Sequence, residues 1–311
     1  MHDIASALLA AGGLAGAAIG LGHVKAKGQS ALGHYATHNQ LLRNPQANRI
    51  VGELIGVLAM NTPFEIYRSG ADGQSGHVGH HRRSRFAGPD DEETQYVLDL
   101  GFKPGMTREA LWRNFYGTMF SPRFHWRQSA RRVKLTFSSG PWWRVLTAWL
   151  AWGGAAVAAT LSGLLPALLL GVVLPLLVVG NGASLAEQCA EHRWLVSVPE
   201  GENREFALSH GRFFAPMPPD DHSPLAWLKF WWRVLKALLA RILVVQTDLA
   251  WHISHHIGLD RKVSGMVPWA DAAQAYSPMF WDDDQLAMQS HTSLHNAIDA
   301  WFIALAAEPA R

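Results

Sequence analysis

Cysteine is nearly missing from this chain. The 311 residues include one, Cys189. That excludes an internal disulfide and a four-cysteine iron site, so the chain carries no rubredoxin-like electron-transfer domain of its own. Charge is scarce too. Asp, Glu, Lys and Arg make up 17% of the sequence, below the roughly 25% usual for soluble domains. From Val145 to Ala186 there is none for 42 residues. The formal net charge of +2 argues neither for nor against nucleic acid, and no nucleic-acid partner is expected.

Apolar residues make up 49% of the chain and are bunched. A spanning helix needs about 20 residues, so the uncharged run can cross a bilayer twice. Gly163 and Pro166 offer the turn between the passes. A buried hairpin in a soluble core is the alternative, but such cores seldom go so long without a charge. Residues 4–22 form another uncharged stretch, made largely of Ala and Gly. Gly12, Gly16 and Gly20 lie four apart and would let a second helix approach closely. A signal peptide would want a positive start, which Met1, His2 and Asp3 do not give.

The few charges are placed unevenly. Lys25 and Lys27 follow the first stretch, and twelve Lys or Arg residues lie between Arg82 and Arg144. The positive-inside rule then puts both long loops in the cytoplasm, and three crossings leave the N-terminus outside. Trp142, Trp143, Trp149 and Trp152 mark the approach to the hairpin, as an interfacial belt would. Residues 49–67 are apolar but hold Glu53 and Glu65 and are broken by Pro63, which favours a helix packed at the interface or within the protein. Residues 225–245 space Lys229, Arg233, Lys236 and Arg241 three to five apart among Trp227, Trp231 and Trp232. That reads as a basic amphipathic helix lying on the cytoplasmic leaflet. The fold class expected is an all-α membrane protein with about three transmembrane helices plus interfacial amphipathic helices.

Histidine is abundant, with 16 in the chain. Nine fall into one recurring pattern. His34 and His38 form HxxxH. His77, His80 and His81 form HxxHH, and His252, His255 and His256 repeat it. His192 stands alone between the last two groups. Positions i, i+3 and i+4 share one helix face, so each box can aim several imidazoles at one point. Neutral imidazole suits iron, zinc, copper and nickel. Nine ligands exceed what one ion takes, so two ions are expected. The bland alternative is a set of buffering surface histidines. On helical spacing, Asp248 lies four residues before His252 and Gln188 four before His192. Each is placed to accept the other ring N–H of its ligand, a solvated polar residue being the alternative for both. His2, His23, His125, His210, His222, His291 and His295 fall outside the pattern and read as structural.

These boxes resemble those of the membrane fatty acid desaturase and hydroxylase superfamily. The matching residues are His34 and His38, then His77, His80 and His81, then His192, then His252, His255 and His256. The acidic stretch Asp90, Asp91, Glu92 and the apolar hairpin between the second and third boxes match as well. The resemblance implies that these nine histidines hold two iron ions at the cytoplasmic face of the bilayer. It implies that O₂ is the co-substrate and a fatty acyl or lipid chain the substrate. Electrons would come from a separate ferredoxin-type or cytochrome b5-type donor with its reductase, and Arg82, Arg83, Arg85, Arg131, Arg132 and Lys134 are candidates for docking it, contact with lipid headgroups being the equal alternative. The expected protein is an integral membrane protein of the cell inner membrane. Residues 1–265 would form the membrane-embedded di-iron domain, and residues 266–311 a cytoplasmic tail packed on it. Relatives usually have two spans before the first box, and this chain has room for one. Desaturation and hydroxylation both fit the boxes. A His-rich metal transporter is the reading from another class, but transporters place ligands inside spans near the midplane, whereas these boxes sit at span ends or in basic loops.

Overall fold

The computed structural model describes residues 32–70, 76–82, 84–211, 216, 218–245, 252–256, 291 and 293–310. The stretch 4–22 with its glycines, Lys25, Lys27, Arg83 and Asp248 lie outside the described residues. Among those described, every regular element is a helix. The chain divides into two compact units. One comprises Met1–Tyr67 and Ser121–Ser184, the other Arg68–Phe120 and Leu185–Arg311.

In the first unit, α1 (His34–Thr37) packs on α2 (Pro45–Leu58), and α3 (Phe64–Ser69) follows. Asn44 caps α2, accepting from the backbone N–H of Gln46 and Ala47, with Pro45 in the first helical position where no N–H is needed. Helix α7 (Pro122–Ser138) repeats the device, with Ser121 before Pro122. Two long apolar helices follow, α8 (Trp142–Leu161) and α9 (Leu165–Glu191). They are the two described helices long and apolar enough to cross a membrane. Gly163 turns between them at φ 69°. The turn Pro175–Val179 winds as π-helix, the local widening that accommodates a proline inside a helix. Leu161 is 84% exposed and Leu170 52%, an apolar surface of the kind found where a helix meets lipid or another protein.

Where α2 meets α8, the polar contacts are unusual. Arg144 and Glu53 are both fully buried, and Arg144 Nε lies 2.7 Å from Glu53 Oε2. The same guanidinium donates to the carbonyls of Leu135, Thr136, Ser139 and Asn61. It therefore closes the last turn of α7, whose final carbonyls have no partner within the helix. Trp152 Nε1 adds a bond to Val57 O at 2.9 Å. The two acidic residues in the 49–67 stretch are thus both paired, Glu53 with Arg144 and Glu65 with Arg49.

The second unit holds α4 (Gly76–His80), α5 (Glu92–Asp99), α6 (Arg108–Met119), α10 (Arg204–Leu208), α11 (Pro224–Leu243), α12 (His252–His256) and α13 (Leu294–Ala307). Helix α11 turns Ala237 and Ala240 inward and leaves Leu225, Leu228, Trp231, Trp232, Leu235 and Leu238 exposed. Lys229, Arg233 and Lys236 are exposed beside them, the amphipathic form expected of a helix at a lipid surface. Helix α13 packs on α6. Arg108 holds Asp299 through Nε at 2.7 Å and Nη2 at 3.0 Å, and Trp112 Nε1 donates to the same carboxylate. His295 stacks on Trp112 at 4.6 Å.

Just before α13, His291 N donates to Gly211 O at 2.8 Å and its ring lies 4.5 Å from that of His210. Burial, helped by the nearby Arg193, pushes the His291 imidazole down to about 4 from 6.5. Between these values the unfolded chain takes up a proton that the folded chain refuses. Stability is therefore complete above about pH 6.5 and declines as the pH falls toward 4. A His291→Gln variant is expected to lose less Tm than wild type between neutral pH and the lower end of this window. Equal losses by thermal unfolding would contradict the assignment.

Candidate metal centre

Box two begins at a backbone position only glycine fills well. Gly76 has φ 52°, and a Cβ there would lie 2.2 Å from Gly70 N. Its own N–H donates to Glu92 Oε1 at 3.0 Å. The five residues from Gly76 to His80 make one turn, so His77 and His80 share a face with His81 just past its end. His77 and His80 are buried and His81 half-buried. Box three folds the same way. His252, His255 and His256 all lie on α12 and all are buried.

His192 reaches the same place on a short extended stretch after α9. It pairs with Ser209 as an isolated antiparallel bridge, while Arg193 N donates to Leu208 O and His210 N to Glu191 O. The ligating atoms of His80, His192 and His256 come within 4.8 Å of one another, and those of Glu191, His192 and His252 do likewise. His256 is the hub. Its ring stands 4.4 Å from His252, 4.5 Å from His192, 4.5 Å from His81 and 5.3 Å from His80. His81 and His255 rings lie 4.7 Å apart. The second unit thus brings seven of the nine pattern histidines together. His34 and His38 belong to the first unit, where their rings stand 4.9 Å apart.

Three carboxylates back these imidazoles. Asp91 Oδ2 lies 2.6 Å from His80 Nδ1, Glu93 Oε1 2.6 Å from His77 Nδ1, and Glu191 Oε1 2.5 Å from His252 Nδ1. Each arrangement favours the tautomer with the proton on Nδ1 and a lone pair on Nε2, which is assigned from the geometry. Asp91 does more. It caps α5 through Glu93 N and also accepts from Ala87 N at 2.8 Å. Sequence spacing alone did not single out Glu93 or Glu191. Asp91 stood out only as part of an acidic stretch. Gln188 makes other bonds: Nε2 donates to Glu93 O at 3.4 Å, and its carbonyl accepts from Trp194 Nε1.

The electrostatics are those of a site prepared for a cation. Burial works against a charge on His80, yet Glu93, Asp91 and Glu191 outweigh it and hold its pKa up at about 9. Burial, then the neighbouring His252, His81, His192 and His80, pushes His256 well below its ordinary value. Glu93 is held low by His80 and His77 although burial opposes this. Among the described residues, His80 Nε2 and both ring nitrogens of His256 are buried without a hydrogen-bond partner. Buried polar atoms normally find one, and a metal ion would supply it. The donor set of imidazoles with one carboxylate in reach suits a transition metal, whose binding would displace the extra proton of His80.

The sequence model of the family described as fatty acid desaturase matches residues 10–257. The chain belongs to the fatty acid desaturase family. The match spans all nine pattern histidines and both described apolar helices and stops before α13. No curated protein and no solved structure matches the chain. Membership in the fatty acid desaturase family makes this an oxidoreductase of fatty acid metabolism, and it accounts for histidine clusters able to hold metal beside helices long enough to cross a membrane.

Proposed function

We propose that this chain is an O₂-dependent fatty acyl desaturase whose nine pattern histidines hold two iron ions. The observation that carries this reading is the buried His80, His192 and His256 cluster, in which His80 Nε2 and both ring nitrogens of His256 lack a hydrogen-bond partner, in a chain of this family. His77, His81, His252 and His255 extend the set, and His34 and His38 complete it. Bound iron supplies the activation of O₂ that lets hydrogen be taken from an unactivated C–H bond.

The chain's own residues do the rest. Asp91 and Glu93 hold the Nδ1–H of His80 and His77, so that each Nε2 is left with its lone pair for a metal, and the Glu191 carboxylate sets its negative charge beside His252 Nδ1. Phe86 and Trp194 lie against His80 and His192 and are fully buried, which keeps water from that side of the cluster. A substrate arriving from the bilayer is long and apolar. The small residues from Ala151 to Ala159 in α8 either wall an acyl slot or, the favoured role, let another helix pack closely. In this reading residues 1–265 form the membrane-embedded catalytic part and 266–311 a tail packed on it. Residues 4–22 add a third span, and the ions face the cytoplasm at the inner membrane. A separate ferredoxin-type or cytochrome b5-type protein delivers electrons to the basic loops.

The test is mass spectrometry of lipids and free acids from cells expressing the wild type beside cells expressing His256→Ala. Wild-type cells are expected to gain acyl species lighter by two hydrogens, and the variant none. Species heavier by one oxygen would make the chain a hydroxylase. Iron that does not oxidise in the presence of O₂, or redox-silent zinc in its place, would sink the oxidase reading and leave a metal-binding or transport protein.

A further inference from the structure

Helix α13 lies beyond the family match, yet it bears on the segment that carries His192. Trp301 is fully buried, and its Nε1 donates to the backbone oxygen of Trp194 at 2.9 Å. Trp194 is also fully buried. Its own Nε1 donates to Gln188 O at 2.7 Å. The Trp194 ring stands 4.9 Å from His192, edge-on, and 5.7 Å from His80. The next residue, Leu195, sits at φ 63° and donates its N–H to Ala87 O at 2.9 Å. Ala87 in turn donates to Asp91, which accepts from His80. The short stretch Trp194–Leu195 is therefore tied to both sides of the cluster, and α13 fixes it from behind.

The helix is well anchored to do so. Arg108 and Trp112 hold Asp299 on one side. Phe102 lies against Trp301 at 5.3 Å and Phe302 at 5.7 Å. Beyond its end, Ser197 donates through both N and Oγ to the Glu308 carboxylate. Ser197 follows Trp194 by three residues, so the segment is gripped at two points by the same C-terminal element.

We infer that Trp301 is a positioning residue of the metal centre. Through its bond to the Trp194 carbonyl, α13 sets where the Trp194 indole stands against His192 and His80, and so how those two imidazoles are aimed. This rests on the reading of the histidines as a two-iron centre. Packing alone would require a large apolar side chain at position 301. Positioning requires the indole N–H, because that group reaches the backbone of the residue in contact with two ligands.

The experiment uses the full chain in detergent, loaded without oxygen with ⁵⁷Fe(II). Trp301→Phe and Trp301→Tyr both keep a buried ring and both lack Nε1, so whichever accumulates folded gives the result. Phe302→Leu removes packing from the neighbouring buried position without touching Trp194 and serves as a control for general loosening. The expected result is that one of two Mössbauer iron signals shifts in the Trp301 variants while the other keeps its wild-type parameters. Iron from the shifted site should pass to a chelator about tenfold faster. Phe302→Leu should leave both signals in place. Wild-type signals and release in the Trp301 variants, or equal changes at both irons matched by Phe302→Leu, would reduce Trp301 to core filling and overturn the inference alone. Wild-type protein that takes up no pair of irons would overturn the two-iron reading, and this inference with it.

Discussion

Asp91→Ala is expected to strip the protein of most of one iron per chain. The Asp91 side chain is 1% exposed and holds three donors: His80 Nδ1, Ala87 N and Glu93 N. Alanine leaves all three without an acceptor. Each orphaned buried donor costs about 1–3 kcal/mol. The loss also frees His80 to rotate and to place its proton on Nε2, which would then face the metal as a donor rather than a lone pair. Losing an outer carboxylate of this kind costs about 10–100-fold in metal affinity. Asp91→Asn keeps an acceptor for the α5 cap but not the charge behind His80, so its loss should be smaller. Iron per chain measured after purification at limiting metal checks this, with new acyl products as a second reading. Wild-type iron content in Asp91→Ala would show that His80 is not a ligand.

Glu53→Ala acts at the other unit and through stability alone. It leaves the buried Arg144 guanidinium with carbonyl oxygens for company and no opposite charge. Burial already pushes the Glu53 carboxyl above its ordinary pKa, against the lowering effects of the Phe64 N–H and Arg144. The pair therefore survives because each charge answers the other. Breaking a buried pair from one side costs about 3–5 kcal/mol. At about 2–4 °C per kcal/mol for a domain of this size, Tm in detergent should fall by roughly 10 °C. Arg144→Met should cost at least as much, because it also uncaps the end of α7. Glu53→Gln should cost least. If all three melt with the wild type, the guanidinium is not the clasp between α2, α7 and α8.

Periodicity made part of this legible in advance. The uncharged run became α8 and α9, with Gly163 at the turn, and the basic apolar pattern of residues 225–245 became α11. The histidine spacing read correctly as short helical turns at Gly76–His80 and His252–His256. Gly76 and Gly79 are poor helix formers at box two. The helix forms because Gly76 takes a positive φ that starts it and Glu92 accepts its N–H. What spacing could not supply was the carboxylates. Asp91 and Glu93 follow their histidines by 11 and 16 residues, and Glu191 reaches His252 from another helix. Contacts of that span are set by tertiary packing and leave no local pattern. The tail was opaque for the same reason. Trp301 is one aromatic among many until the fold brings it to Trp194.

Cys189 is the chain's single thiol, and it is wholly buried two residues before Glu191. No other sulfur competes for a thiol reagent, and none can reach this one while the end of α9 stays closed. The molecule therefore carries its own clock for local opening at the root of the ligand set, with no engineered label. The rate at which a maleimide finds that sulfur reports how readily this helix end opens. Any ion that binds the closed form must slow it in proportion to its affinity.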